Sequence, residues 1–226
     1  MSNLGKVLLV VGIVLMALTA AITLLSGAGT SCVAWGAEKY PPFRAIVPYK
    51  PLYQALVVLT IADALAAVWA ILALARRTQR AYAGTLIVLA GDVILTAIQM
   101  YFSHTLRGST MPSDLRLYVA LVTLIYFLLW RVPGLRKHVD AARFESGAGK
   151  AAGAGLAMFV AGVAALSTPM WAGPTHMLEG YNLVYVLEAP LLAGGSALTL
   201  AGLSLLVGSV VAVPSLRLAE EPAEPR

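Results

Sequence analysis

Two aspartates draw attention first, because each falls deep inside a long apolar stretch. Asp63 lies eleven residues inward of residue 52, and Asp92 lies eleven residues inward of residue 103. At about 1.5 Å per helical residue, each is about 16 Å from the same boundary, close to the middle of a hydrocarbon core about 30 Å thick. An aspartate at that depth costs about 2.5–3.5 kcal/mol on insertion scales, so it turns toward a bundle interior or a water-filled path. Asp92, Thr96, Gln99 and Ser103 follow one another at spacings of four, three and four, which puts them on one helix face. Thr60 stands one turn from Asp63.

Three kinds of chemistry suit a midplane set of Asp63, Asp92, Thr60, Thr96 and Gln99. The carboxyls can act as hydrogen-bonded glue between helices. They can pass a proton, or they can hold a monovalent cation or a cationic ligand. No Lys, Arg or His is expected at that depth. Two carboxylates close together in low dielectric do not both ionise readily, so at least one is expected to keep its proton.

A second group, His104, Arg107 and Arg116, is expected at the outer rim. There it can anchor the chain in the interface or take an anionic group such as a lipid head. Arg116 is expected to snorkel outward. Cys32, His104, His176 and Glu179 fall on the same side, but no HxxxH or HExxH spacing joins them, so neither a metal site nor a cofactor is expected. The lone cysteine, Cys32, has no partner in the sequence for a disulfide.

The elements that must position these residues are apolar. The sequence is 59% hydrophobic and only 12% charged, with a mean hydropathy of +0.81. Soluble domains carry about twice that charge. The pattern predicts an all-α, polytopic transmembrane helix bundle of six spans, at about 7–26, 53–75, 82–103, 114–131, 151–168 and 190–213. They make one domain over 1–215, leaving no separate soluble unit. The first stretch is longer than the apolar run of an ordinary secretory signal, so it is read as a retained span.

With six spans, eleven Lys and Arg fall in loops and ends on one side and five on the other. Basic residues in short loops stay in the cytoplasm, which predicts a cell-membrane protein with both termini inside. The net charge of +5 is explained by this bias, and no nucleic-acid signature accompanies it. The segment 27–51 has four prolines and four aromatics, so it is expected to fold as an outer cap rather than as a helix. Segment 177–188 is expected to form a short amphipathic helix in the interface, and 216–226 a disordered cytoplasmic tail. The fourth span is short, so its helix is expected to start near Ser113 and include Arg116.

Small residues repeat every four positions in the fifth span (Gly149, Gly153, Ala157, Ala161, Ala165) and in the sixth (Ala193, Ala197, Ala201). Such faces allow close helix approach, to a neighbour in this chain or in another. No nucleotide-binding loop, hydrolase elbow or zincin motif is present, and no histidine lies deep in a span. The function expected from these features is non-enzymatic: a subunit or partner-binding component of a larger membrane assembly, in contact with the lipid bilayer and with another membrane protein or a second copy. The alternative is a proton- or cation-coupled transporter of a small solute built on the aspartate pair.

Overall fold

The computed structural model describes residues 3–219 except 77, 79, 111–112, 142–146, 174–175 and 179–180. The helices are α1 (Asn3–Gly36), α2 (Lys50–Arg76), α3 (Ala81–Arg107), α4 (Ser113–Leu129), α5 (Pro133–Ala141), α6 (Gly147–Leu166), α7 (Thr168–Trp171) and α8 (Glu188–Ala219). Two 3-10 helices, Ala37–Lys39 and Pro41–Tyr49, form the cap between α1 and α2. A two-residue antiparallel ladder pairs β1 (Met177–Leu178) with β2 (Tyr181–Asn182).

α1, α3 and α4 bury side chains at alternating steps of three and four. In α1 the buried series includes Leu9, Ile13, Met16, Ala20 and Thr23. In α3 it includes Thr85, Leu89, Asp92, Thr96, Gln99 and Ser103, and in α4 it is Ser113, Arg116, Ala120, Thr123 and Phe127. A 3.5-residue repeat keeps one stripe facing its neighbours along the whole length, as in bundles crossing at shallow angles. The outside is also apolar: Ile87 is 72% exposed and Leu65 62%. Soluble monomers do not present such a girdle.

Four helices, α1, α2, α3 and α8, are long and apolar enough to cross a membrane. α4 and α5 would make a fifth if taken as one span, but they are bent by 91° against each other, and the apolar helix Ala151–Leu166 is shorter. All six expected segments are therefore helical, and four of them have the full length of a crossing.

Contacts between helix ends set the directions. Leu9 of α1, Leu74 of α2, Ala81 of α3 and Phe127 of α4 share one cluster at the end holding the α2–α3 turn. Ala34 of α1, Tyr53 of α2, and Phe102 and Leu106 of α3 meet Phe43 and Ile46 at the other end, called here the cap end. α6 and α8 run antiparallel, with Gly155 against Gly202 and Gly162 against Gly195. A Cβ on Gly202 would stand 2.5 Å from the Phe159 nitrogen, and one on Gly162 would stand 2.6 Å from the Thr199 nitrogen. Only glycine permits backbones this close. The stripe of alanines read from the sequence is divided: Ala157 packs in the bundle core, while Ala193 and Ala197 are exposed on α8.

Three local expectations change. α1 continues through Gly36, because the prolines begin only at Pro41 and Gly27 sits where α2 comes close, 3.0 Å from Ile61 by its would-be Cβ. The cap is thus confined to 37–49. Segment 177–188 is not an amphipathic helix. It makes the short ladder and then a 3-10 helix, Leu183–Leu187, whose start is fixed by the Asn182 side chain accepting from the Val184 N–H. Of the expected disordered tail, 216–219 belongs to α8 and 220–226 lies outside the described residues.

Candidate functional site

The site begins with a turn. At the end of α3, Gly108 takes a left-handed conformation (φ 68°), and its N–H caps the His104 carbonyl. The Ser103 hydroxyl donates to the Ser109 carbonyl at 2.9 Å, so the chain folds back toward the bundle. α4 therefore starts below the end of α3, and Arg116, one turn into α4, enters the interior.

Arg116 is 1% exposed and so is Asp92. The guanidinium donates to Asp92 Oδ1 from Nε at 2.8 Å and from Nη2 at 2.5 Å. Its Nη1 donates to Thr60 Oγ1 at 3.1 Å and to Gln99 Oε1 at 3.4 Å. The second Asp92 oxygen accepts from the Thr23 hydroxyl at 2.9 Å. Gln99 Nε2 donates to Thr30 Oγ1 at 3.1 Å. The Thr96 hydroxyl is satisfied by the Asp92 carbonyl at 2.7 Å. Side chains of α1, α2, α3 and α4 thus meet in one buried polar clamp.

Desolvating two charges costs several kcal/mol each, and the pair repays this only with good geometry and further hydrogen bonds. Here a two-nitrogen grip on the carboxylate and three neutral partners supply both. The clamp is strong as a unit and vulnerable in its parts: removing one ionic partner of a buried pair costs about 3–5 kcal/mol.

This overturns the expectation that no basic residue reaches the aspartates. Arg116 does not snorkel to the rim, and it does not join His104 and Arg107 there. The inward turn at Gly108 carries it down, and its long side chain covers the rest. Sequence reading missed this because Arg116 sits beside the apolar run of α4, where outward extension is the ordinary outcome for an arginine.

The other expected residues divide. Thr60, Asp92, Thr96 and Gln99 are all buried in the clamp or against it. Asp63 is half-buried beside α3, with its Oδ1 3.3 Å from where a Cβ on Gly91 would stand. It makes no hydrogen bond among the described residues, so the two aspartates lie at one level without forming a joint site. His104 is exposed. Arg107 is half-buried, donates to Ser103 Oγ at 3.2 and 2.6 Å, and lies over the Phe43 ring with its carbon 4.9 Å from the centroid. Thr23 and Thr30 of α1 were not foreseen. Their signal is faint, because isolated threonines in apolar helices usually bond their own backbone, as Ser31 does to Gly27.

Above the clamp, at the cap end, is a cavity of about 140 Å³. α1, the cap, α3, the start of α4 and the segment 168–191 all contribute to its lining. Among the described residues no group of three or more His, Cys, Asp or Glu is placed to hold a metal ion. His176 turns its Nδ1 to the Ala172 carbonyl at 2.8 Å, and Cys32 is exposed. Comparison with known protein families, with characterised proteins and with solved structures finds no match.

Proposed function

We propose that this chain is a non-enzymatic integral protein of the cell membrane, crossing it six times with both termini cytoplasmic, and that it serves as a subunit or partner-binding component of a larger membrane assembly. The observation that carries this reading is the saturation of the clamp. Both oxygens of Asp92 are engaged, and the Arg116 charge is spent on them. A midplane carboxyl used in this way joins helices rather than moving ions. Below it, Met16, Leu89, Phe127 and Trp130 are buried and close the end opposite the cap.

Among the exposed apolar faces, α8 is the one proposed for contact. It packs on α6 through one glycine face, while Leu192, Ala193, Ala197, Leu200 and Leu203 are exposed. A long helix held on one side, with small and large apolar residues alternating over the other, suits a second membrane helix. The charge bias of the loops supports the inside placement of the termini.

Extraction into a mild detergent or native nanodiscs, followed by native mass spectrometry, tests this. A defined assembly larger than one chain is expected, and Ala197→Trp is expected to shift it toward monomer without loss of helix content. A lone monomer under all conditions, with every membrane complex intact in its absence, would sink the proposal.

One observation favours a second reading, coupled transport of a small solute: among the described residues Asp63 stays without a hydrogen bond at mid-helix. On that reading Asp63→Asn abolishes pH-dependent flux in liposomes while the clamp remains whole, and unchanged flux eliminates it. Asp92→Asn is the poorer probe, since it breaks the clamp as well.

A further inference from the structure

The clamp leaves one charged group in the middle of the bundle unaccounted for, and that group is Asp63. Among the described residues it makes no hydrogen bond or ion pair, while Asp92 at the same level has both oxygens filled. Nor is it sealed in. The buried polar side-chain atoms left without a partner, among the described residues, are the Tyr53 hydroxyl and Trp130 Nε1. The Asp63 carboxyl is unbonded and not one of these, so it keeps accessible surface.

That surface is not part of the cavity at the cap end, whose lining leaves Asp63 out. It lies in the crevice between α2 and α3, where Gly91 makes room: a Cβ there would stand 3.3 Å from Asp63 Oδ1. The rims of the crevice are apolar. Leu59, one turn before Asp63 on α2, is exposed, and so are Ile87 and Ile98 on the Gly91 side of α3. Polar neighbours do not lead away from the carboxyl in series. Thr60 already accepts from Arg116, and between Asp63 and Arg76 α2 has only apolar residues and Trp69. A charge placed this way in lipid calls for a counter-charge delivered from the side.

This chain does not supply one. Arg116 is 1% exposed and holds Asp92. Apart from it, the Lys and Arg of α1, α2, α3, α6 and α8 lie in terminal turns. A second copy would bring no basic residue to that depth either. We infer that the α2–α3 face docks a transmembrane helix of a different protein, one with a lysine or arginine near its middle, and that this side chain pairs with Asp63. Charge complementarity selects the occupant, because apolar faces alone give little pull between helices in lipid. Ala62, exposed beside Asp63, leaves space for a close backbone. The inference rests on the assembly reading, to which it adds a second face and the chemistry of the partner.

The test uses synthetic transmembrane peptides of about twenty leucines, with either leucine or lysine at the centre. The full-length chain is labelled at Cys32, its single and exposed cysteine, and reconstituted into phosphatidylcholine vesicles. Fluorescence energy transfer to labelled peptide measures binding. A zwitterionic bilayer keeps the lysine from being drawn to the lipid itself. The lysine peptide should bind at least about tenfold tighter than the all-leucine one. Asp63→Leu should erase that preference, and Asp63→Glu should keep it. Asp63→Lys should reverse the choice, favouring a peptide with a central aspartate by about tenfold. Circular dichroism should show unchanged helix content in each variant, since no bond of Asp63 is lost. Equal binding of both peptides to the unaltered chain would overturn the proposal whatever the variants do. So would a lysine preference that survives Asp63→Leu. Equal peptide binding by a chain still found in a larger assembly removes this site alone. A lone monomer in native mass spectrometry removes the assembly reading, and the docking partner with it.

Discussion

The two ends of the bundle are built from the same four helices and solve the packing problem in opposite ways. Away from the cap, aromatic rings fill the space: Phe127 and Trp130 lie 4.6 Å apart by centroid, and Tyr126 meets both edge-on. Two tyrosine hydroxyls tie helices there by reaching backbone carbonyls, Tyr82 to Phe127 at 3.0 Å and Tyr126 to Leu8 at 2.6 Å. Toward the cap, threonines, a glutamine and one ion pair hold the inside of the bundle, ring contacts such as Tyr40–Phe43 and Tyr49–Phe102 involve the cap itself, and a hollow stays open above the clamp. Ring packing is a sum of many weak contacts that can partly relax. The clamp is directional, so losing one member strands the others.

Substitutions can break or sharpen this contrast. The largest effect is expected from Arg116→Met, which leaves Asp92 buried without its counter-charge and should cost about 3–5 kcal/mol in a reversible unfolding titration in mixed micelles. Adding Asp92→Leu should recover much of that loss. A double-mutant cycle that comes out additive would mean the pair is not coupled as described. Phe127→Ala should come close behind, at about 3–5 kcal/mol. No partner substitution is expected to rescue it, because its loss is a cavity rather than an orphaned charge.

Gly12→Ala should cost less, about 1–3 kcal/mol. Its Cβ would stand 2.9 Å from Trp130 Cζ2, and a side chain can yield where backbone cannot. Thermal unfolding should register the change while the clamp at the far end stays whole. The smallest effect belongs to Asp63→Asn, expected within about 1 kcal/mol because no hydrogen bond is lost. A cost like that of Arg116→Met would show that Asp63 belongs to the clamp after all.

How much of this is legible in the sequence follows from what each signal measures. Apolar runs report helices, so all six expected segments are helical. The period of Asp92, Thr96, Gln99 and Ser103 reports a common face, and all four are buried on it. Arg116 was legible as a residue and not as a role, because its direction depends on the turn at Gly108. A left-handed glycine looks in the sequence like any other. The α6–α8 contact misled in another way: the four-residue repeat of alanines was conspicuous, but the backbones touch at Gly155, Gly162, Gly195 and Gly202, spaced by seven. Closest approach selects the smallest residue, not the most regular stripe. The cavity had no sequence signal, since its wall comes from segments far apart in the chain.

The inward turn after α3 also has a consequence for the surrounding lipid. α4 has 17 residues, about 26 Å of helix, against a hydrocarbon core of about 30 Å. Its far end does not extend the crossing, since the chain bends by 91° into α5. On the proposed six-span arrangement, the lipids beside α4 would meet a wall shorter than those beside α1 or α2, and would compress or tilt at a cost of a fraction of a kcal/mol per Å. That asymmetry makes one flank of the protein sensitive to acyl-chain length. Thinner membranes should accommodate it better, and the relief would be concentrated next to the helix that carries Arg116.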